Sequence, residues 1–192
     1  MDTGPLITLA AAEALDYLLI PEMPVIIPDA VFYEATNKTG ALGAASIADW
    51  TLEHVHDVQI VGTVAYASHV AMLEAGIDPP KDVGERAALE VGRDTTLVFE
   101  GEACFLLTED DRVIRGGFIL PDDRGRIEVI STYDFLLALE QAQRINSLDA
   151  VYRRSEDAGR AASKKQTAAE QRNRSMAALE TVMQAQVRKS KL

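Results

Sequence analysis

Five carboxylates, Asp2, Glu34, Glu85, Asp110 and Asp111, stand beside changes of local structure rather than on plainly solvated helix faces. Three or four acids converging on one spot repel one another unless a cation neutralises them, and an all-oxygen set of that kind suits Mg²⁺ or Mn²⁺. A divalent ion so held lowers the pKa of bound water and stabilises negative charge on a phosphate during in-line displacement. The chemistry this set would support is phosphodiester hydrolysis. Taken singly, each acid reads as a solvated surface residue, because Asp and Glu are rarely buried without partners. Only their arrangement raises them above that.

Other chemical signals are weaker. Asp2-Thr3-Gly4, with Val91-Gly92-Arg93-Asp94, resembles two elements of retropepsin-like aspartic proteases, in which two aspartates share a proton across a dimer axis. Here Pro5 follows and helical spacing begins, which is at odds with an all-β protease. His54 and His56, two residues apart on a helical stretch, point to different faces and make a poor zinc pair. Cys104 lies inside an apolar run and reads as a small buried hydrophobe, and Trp50 with Ile47 and Val55 reads as core. Gly116 and Gly117 lack the spacing of a phosphate-binding loop.

The elements that must position the acids follow from periodicity. A first strand reduced to Met1 ends at Asp2, and Leu6, Leu9, Ala10, Leu15, Leu18 and Leu19 predict a helix from Pro5 to Leu19. The β-branched run Val25–Ile27 predicts a buried strand feeding a helix capped by Asp29, which carries Glu34. Asp82 predicts the start of a helix with Glu85 in its first turn. The runs TTLVFE and ACFLL read as strands, the second stopping in Thr108, Glu109, Asp110 and Asp111, and Ile127–Ile130 reads as another. Strands alternating with helices imply an α/β fold with a mostly parallel sheet covered on both faces, whose functional groups gather at the carboxyl ends of the strands.

The 192 residues fit one domain with an appendage, and 47% apolar content argues against disorder. No apolar run approaches the roughly 18 residues that cross a bilayer. With a single cysteine and no signal-peptide pattern, a reducing cytoplasm is the expected location. The net charge of −11 is split: residues 1–149 hold 9 basic and 26 acidic residues, net −17, whereas residues 150–192 hold 10 and 4, net +6. The reading is a folded domain over 1–149 and a basic helical tail over 150–192, a long exposed helix with an apolar stripe at Met176, Leu179, Val182, Met183 and Val187.

The ordered stretches DTGPLI, PDAVFYEA, DVGERAAL, LLTEDDRVIR and VISTYDFLLALEQAQRI resemble a PIN domain, in the branch of VapC-type toxins of bacterial toxin–antitoxin pairs. The resemblance runs from Asp2 to about Ile145. It implies a three-layer α/β/α fold and a Mg²⁺- or Mn²⁺-dependent endoribonuclease acting on single-stranded RNA. Carried over, it makes Asp2, Glu34, Glu85 and Asp110 the catalytic metal ligands, with Thr3 and Asp111 as auxiliary groups. Glu102, in a second Gly-Glu pair, competes with Glu85 for the third position. Arg86, Arg112 and Arg115 lie beside the acids as RNA-backbone contacts, and the basic tail adds affinity. The expected partners are RNA, a cognate antitoxin that covers the groove or grips the stripe around Leu179 and Met183, and a second copy in a homodimer. A PIN-like module that binds protein and has lost catalysis is the alternative.

Overall fold

The structure is a computed structural model, which describes residues 1–38, 40–94, 104–115, 127–167 and 169–189. Asp2 starts helix α1 (Thr3–Ala11) by accepting a hydrogen bond from its first amide, and Leu6 and Leu9 are fully buried. The helix predicted to run on to Leu19 stops early. Glu13 adopts a left-handed φ of 52°, Glu13 N–H donates to Ala10 O, and Ala14 N–H donates to Leu9 O, closing the helix end. Such an end is usually marked by glycine, so the sequence carries no warning of it. A 3₁₀ turn, Leu15–Leu19, follows.

Strand β1 (Val25–Pro28) leads into α2 (Asp29–Thr36), then α3 (Ala44–Glu53) and β2 (Val58–Val61). Gly43 before α3 has φ of 77°, and a β-carbon there would stand 2.7 Å from Ala10 Cβ, so only glycine lets α3 approach α1. β2 pairs parallel with β1, Val25 opposite Val58 and Pro28 opposite Val61. Helices α4 (Val64–Glu74) and α5 (Val83–Arg93) come next, then β3 (Cys104–Thr108), the single turn α6 (Asp111–Ile114), β4 (Ile127–Ser131) and α7 (Thr132–Gln141). β3 and β4 are also parallel, Cys104 opposite Ile127 and Thr108 opposite Ser131.

The chain is thus a mixed α/β protein, mostly helical, with two small parallel two-stranded sheets against which helices pack. Alternation along β3 and β4 serves both faces. Leu106 and Val129 cluster with Ala88 and Leu89 of α5, while Leu107 and Ile130 join the main core with Phe135, Leu136 and Leu139 of α7. The strand-like TTLVFE lies outside the described residues.

The C-terminal region departs from the single exposed helix that its composition suggests. Two helices form, α8 (Leu148–Asp157) and α9 (Ala169–Lys189), and both join the main core through Leu148, Val151, Tyr152, Leu179 and Met183. The stripe at Leu179 and Met183 is therefore spent on the body, against β4 and α7, and is not open to a partner. Between these helices the chain is strapped down. Thr167 Oγ1 accepts from Ser131 N–H at 2.9 Å, and Thr167 N–H donates to the buried Asp134 carboxylate. Farther back, Arg154 donates to Ala12 O at 2.7 Å, and Arg160 reaches Glu109 at 3.2 Å. Among the described residues no helix is long and apolar enough to cross a membrane.

Candidate functional site

The four acids singled out by sequence stand in one connected hydrogen-bond network at the carboxyl ends of β1 and β3. Asp2 is tied to β3 by its own amide, which donates to Leu107 O at 3.0 Å, and by its carboxylate, which accepts from Thr108 Oγ1 at 2.8 Å. The other Asp2 oxygen accepts from Thr3 N–H at 2.7 Å, and the Thr3 hydroxyl donates to Glu34 Oε2 at 2.8 Å. Thr108 Oγ1 in turn accepts from the Asp110 amide at 3.1 Å. Arg112 closes the network, donating to Glu85 Oε1 at 2.9 Å and to Asp110 Oδ2 at 3.3 Å.

Local structure explains why each acid is there. Asp2 and Asp110 are the N-cap residues of α1 and α6, where a carboxylate satisfies amides that the helix leaves open. Glu85 sits in the first turn of α5, where the helix dipole favours an anion. Glu34 lies on α2, close enough to α5 that a β-carbon on Gly84 would stand 3.4 Å from its Oε2.

The electrostatics are uneven. Burial pushes the Glu85 carboxyl up, and the nearby Asp2 and Asp110 charges add to that. Its own backbone hydrogen bond and Arg112 oppose the rise without cancelling it. Partial burial pushes Asp110 up too, but hydrogen bonds from Arg112 and the guanidinium charge outweigh it and hold Asp110 below its ordinary value. A carboxyl raised in the folded state binds protons there more readily than in the unfolded chain. Glu85 therefore lowers stability as pH climbs from the ordinary glutamate value through its raised one. Glu85→Gln is expected to raise the thermal midpoint at neutral pH and to leave it unchanged well below pH 4, where both states are protonated; paired melts at the two pH values check this.

The remaining predicted residues fall at the rim or outside. Asp111 contacts Lys165 of the strap and does not enter the network. Arg86 and Arg115 are exposed. Arg112, expected to meet RNA phosphates, bridges Glu85 and Asp110 at 2.9 and 3.3 Å. Glu102, Gly116 and Gly117 lie outside the described residues. His54 sits 3.4 Å from Asp16 at the end of α3, and His56 lies in the turn that follows, so the two are not on a helix. Val91 to Arg93 finish α5, so the stretch that resembled a protease element is a helix end.

Sequence reasoning missed Thr108, the hydroxyl that joins Asp2 to Asp110, and Glu109. Glu109 lies against α1, where a β-carbon on Gly4 would stand 3.0 Å from its Cβ, and its side chain is only 7% exposed. Their position where an apolar strand stops was the available signal.

An all-carboxylate donor set fits Mg²⁺ or Mn²⁺ chemically. The set is not drawn into a closed cage, however: among the described residues no group of three or more His, Cys, Asp or Glu side chains stands close enough to hold a metal ion. No protein-family model matches the chain, and neither a curated protein nor a solved structure matches it at a significant level.

Proposed function

We propose that the protein is a divalent-metal-dependent endoribonuclease of the PIN type, the cytoplasmic toxin of a toxin–antitoxin pair, cutting single-stranded RNA. The observation that carries this reading is the single network joining Asp2, Glu34, Glu85 and Asp110 at the strand ends. In this reading these four residues would hold Mg²⁺ or Mn²⁺, which would supply charge neutralisation at a phosphodiester and an acidified water. The chain's own contribution is orientation. The Thr3 and Thr108 hydroxyls fix the Glu34 and Asp2 carboxylates, and the caps of α1 and α6 anchor Asp2 and Asp110. Arg112, exposed on one side, exchanges Glu85 for a phosphate of the RNA backbone.

One observation favours a second reading. Arg112 already satisfies Glu85 and Asp110, as it would in a PIN-like module that binds protein and no longer cleaves. Cleavage of a single-stranded RNA with and without a chelator separates the two. Loss of cleavage on chelation and its return with excess Mn²⁺ is the expected result. Absence of cleavage even in Mn²⁺ supports the binding module, and cleavage indifferent to the chelator removes the metal from the site.

A further inference from the structure

The surface beside the four acids carries three aromatic rings in a row. The Tyr33 and Tyr66 rings lie 5.5 Å apart at a tilt of 42°, and Tyr66 stacks on His69 at 6.3 Å, within 18° of parallel. Tyr33 precedes Glu34 on α2 and is 51% exposed. Ala65 and Tyr66 of α4 pack on Ala30, Val83 and Ala87, and Val83 leads through Gly84 to Glu85. The row therefore begins at the chain neighbour of one acid and rests on a residue two positions before another.

The row is fixed from below. Thr63, the N-cap of α4, donates to Asp29 at 2.7 Å, and Glu90 accepts from the Val64 and Ala65 amides at 2.7 and 3.0 Å. These bonds seat the first turn of α4, which carries Tyr66, on α2 and α5. No residue of α4 is itself buried, and from Val58 to Leu73 the chain has no Asp, Glu, Lys or Arg, although 26% of all residues are charged. On a strongly acidic body this stretch adds no repulsion toward an anionic polymer. Arg86, exposed and one helical turn before Glu90, shares the side of α5 that bonds α4.

We propose that Tyr33, Tyr66 and His69 form a stacking platform for the bases of single-stranded RNA next to the phosphate that is cut, with Arg86 on the backbone. This rests on the ribonuclease reading and adds to it a place for the bases. Aromatic rings hold single strands with little sequence preference, because every base has a π-face, and a cationic side chain beside them takes the phosphates. Location selects this occupant over another protein. A strand cut at the acids must pass over the surface adjoining them, and the rings stand on that surface with Tyr33 outermost.

The test uses the full chain and a labelled short oligouridine in Mn²⁺ on ice, beside the same oligomer with abasic positions. Fluorescence anisotropy reads binding, with intact RNA checked on a gel. A third oligomer carrying 5-iodouridine, which crosslinks under ultraviolet light to rings stacked on it, reads the place by mass spectrometry. Tyr33→Ala is expected to weaken the intact oligomer by roughly fivefold to a hundredfold, the scale of one lost base–aromatic stack, and Tyr33→Phe to leave it within about twofold. The abasic oligomer is expected to bind weakly and to be indifferent to Tyr33→Ala, and crosslinks are expected on Tyr33 or Tyr66. If Tyr33→Ala fails to fold, the crosslinks on the unaltered chain decide. Binding that Tyr33→Ala leaves unchanged, with crosslinks elsewhere, overturns the platform while the ribonuclease reading stands. Absence of both binding and chelator-sensitive cleavage removes the two together. A Tyr33→Ala variant that lowers the mass at sedimentation equilibrium but not the RNA affinity assigns the rings to a second copy and overturns the platform as well.

Discussion

Replacing Asp2 by asparagine is expected to leave the fold in place and to lower divalent-dependent RNA cleavage by roughly 10²–10³-fold, the scale of losing one preorganised electrostatic group from a reaction centre. Asparagine caps a helix about as well as aspartate, so the bond to the Thr3 amide survives the change. The charge is lost, together with the second oxygen that accepts from Thr108 Oγ1. Asp110→Asn, at the cap of α6, is expected to behave alike. Asp111→Asn is the contrast, because Asp111 faces Lys165 rather than the network, and its loss of rate is expected to be smaller. Cleavage rates at saturating Mn²⁺, measured beside thermal melts of each variant, check all three. Undiminished cleavage by both the Asp2 and Asp110 variants removes these residues from the site.

The second large effect concerns stability. Leu179 is 2% exposed and lies 31 residues beyond Leu148, in the region whose composition suggested a solvated tail. Leu179→Ala deletes a fully packed side chain between α9 and the core and is expected to cost about 2–5 kcal/mol. Against a total stability of about 5–15 kcal/mol that is a severe loss. Urea denaturation, read by circular dichroism, gives the difference directly. A change within about 0.5 kcal/mol, as for a surface position, would mean that α9 does not share the core.

The order and type of most elements were legible from periodicity, because β-branched runs such as Val25–Ile27 and strand ends such as Thr108 to Asp111 carry strong local signals. Asp2, Glu85 and Asp110 were legible as well, since each stands where a helix begins or a strand stops, whereas Glu34 lies toward the end of α2. Three features were not. The end of α1 depends on a glutamate in a left-handed conformation, a choice imposed by packing rather than by residue type. The docking of α8 and α9 rests on contacts with residues more than a hundred positions earlier, such as Arg154 with Ala12, and no local window contains both partners. The role of Arg112 depends on where Glu85 and Asp110 meet in space, and their 25-residue separation conceals that.

The docking of α8 and α9 also sets the order of events in synthesis. Leu6 and Leu9 belong to the same core as Leu148 and Val151, and α1 packs on α8 as well as on α2 and α3, so its apolar face is fully covered only once α8 has been made. At about 5–20 residues per second, the stretch from α1 to α8 takes on the order of 7–30 s to translate. For that time the apolar face of α1 depends on the ribosome's surroundings, including chaperones, rather than on its own fold. A ribosome that stalls before α8 leaves a nascent chain in which the apolar face of α1 is incompletely covered.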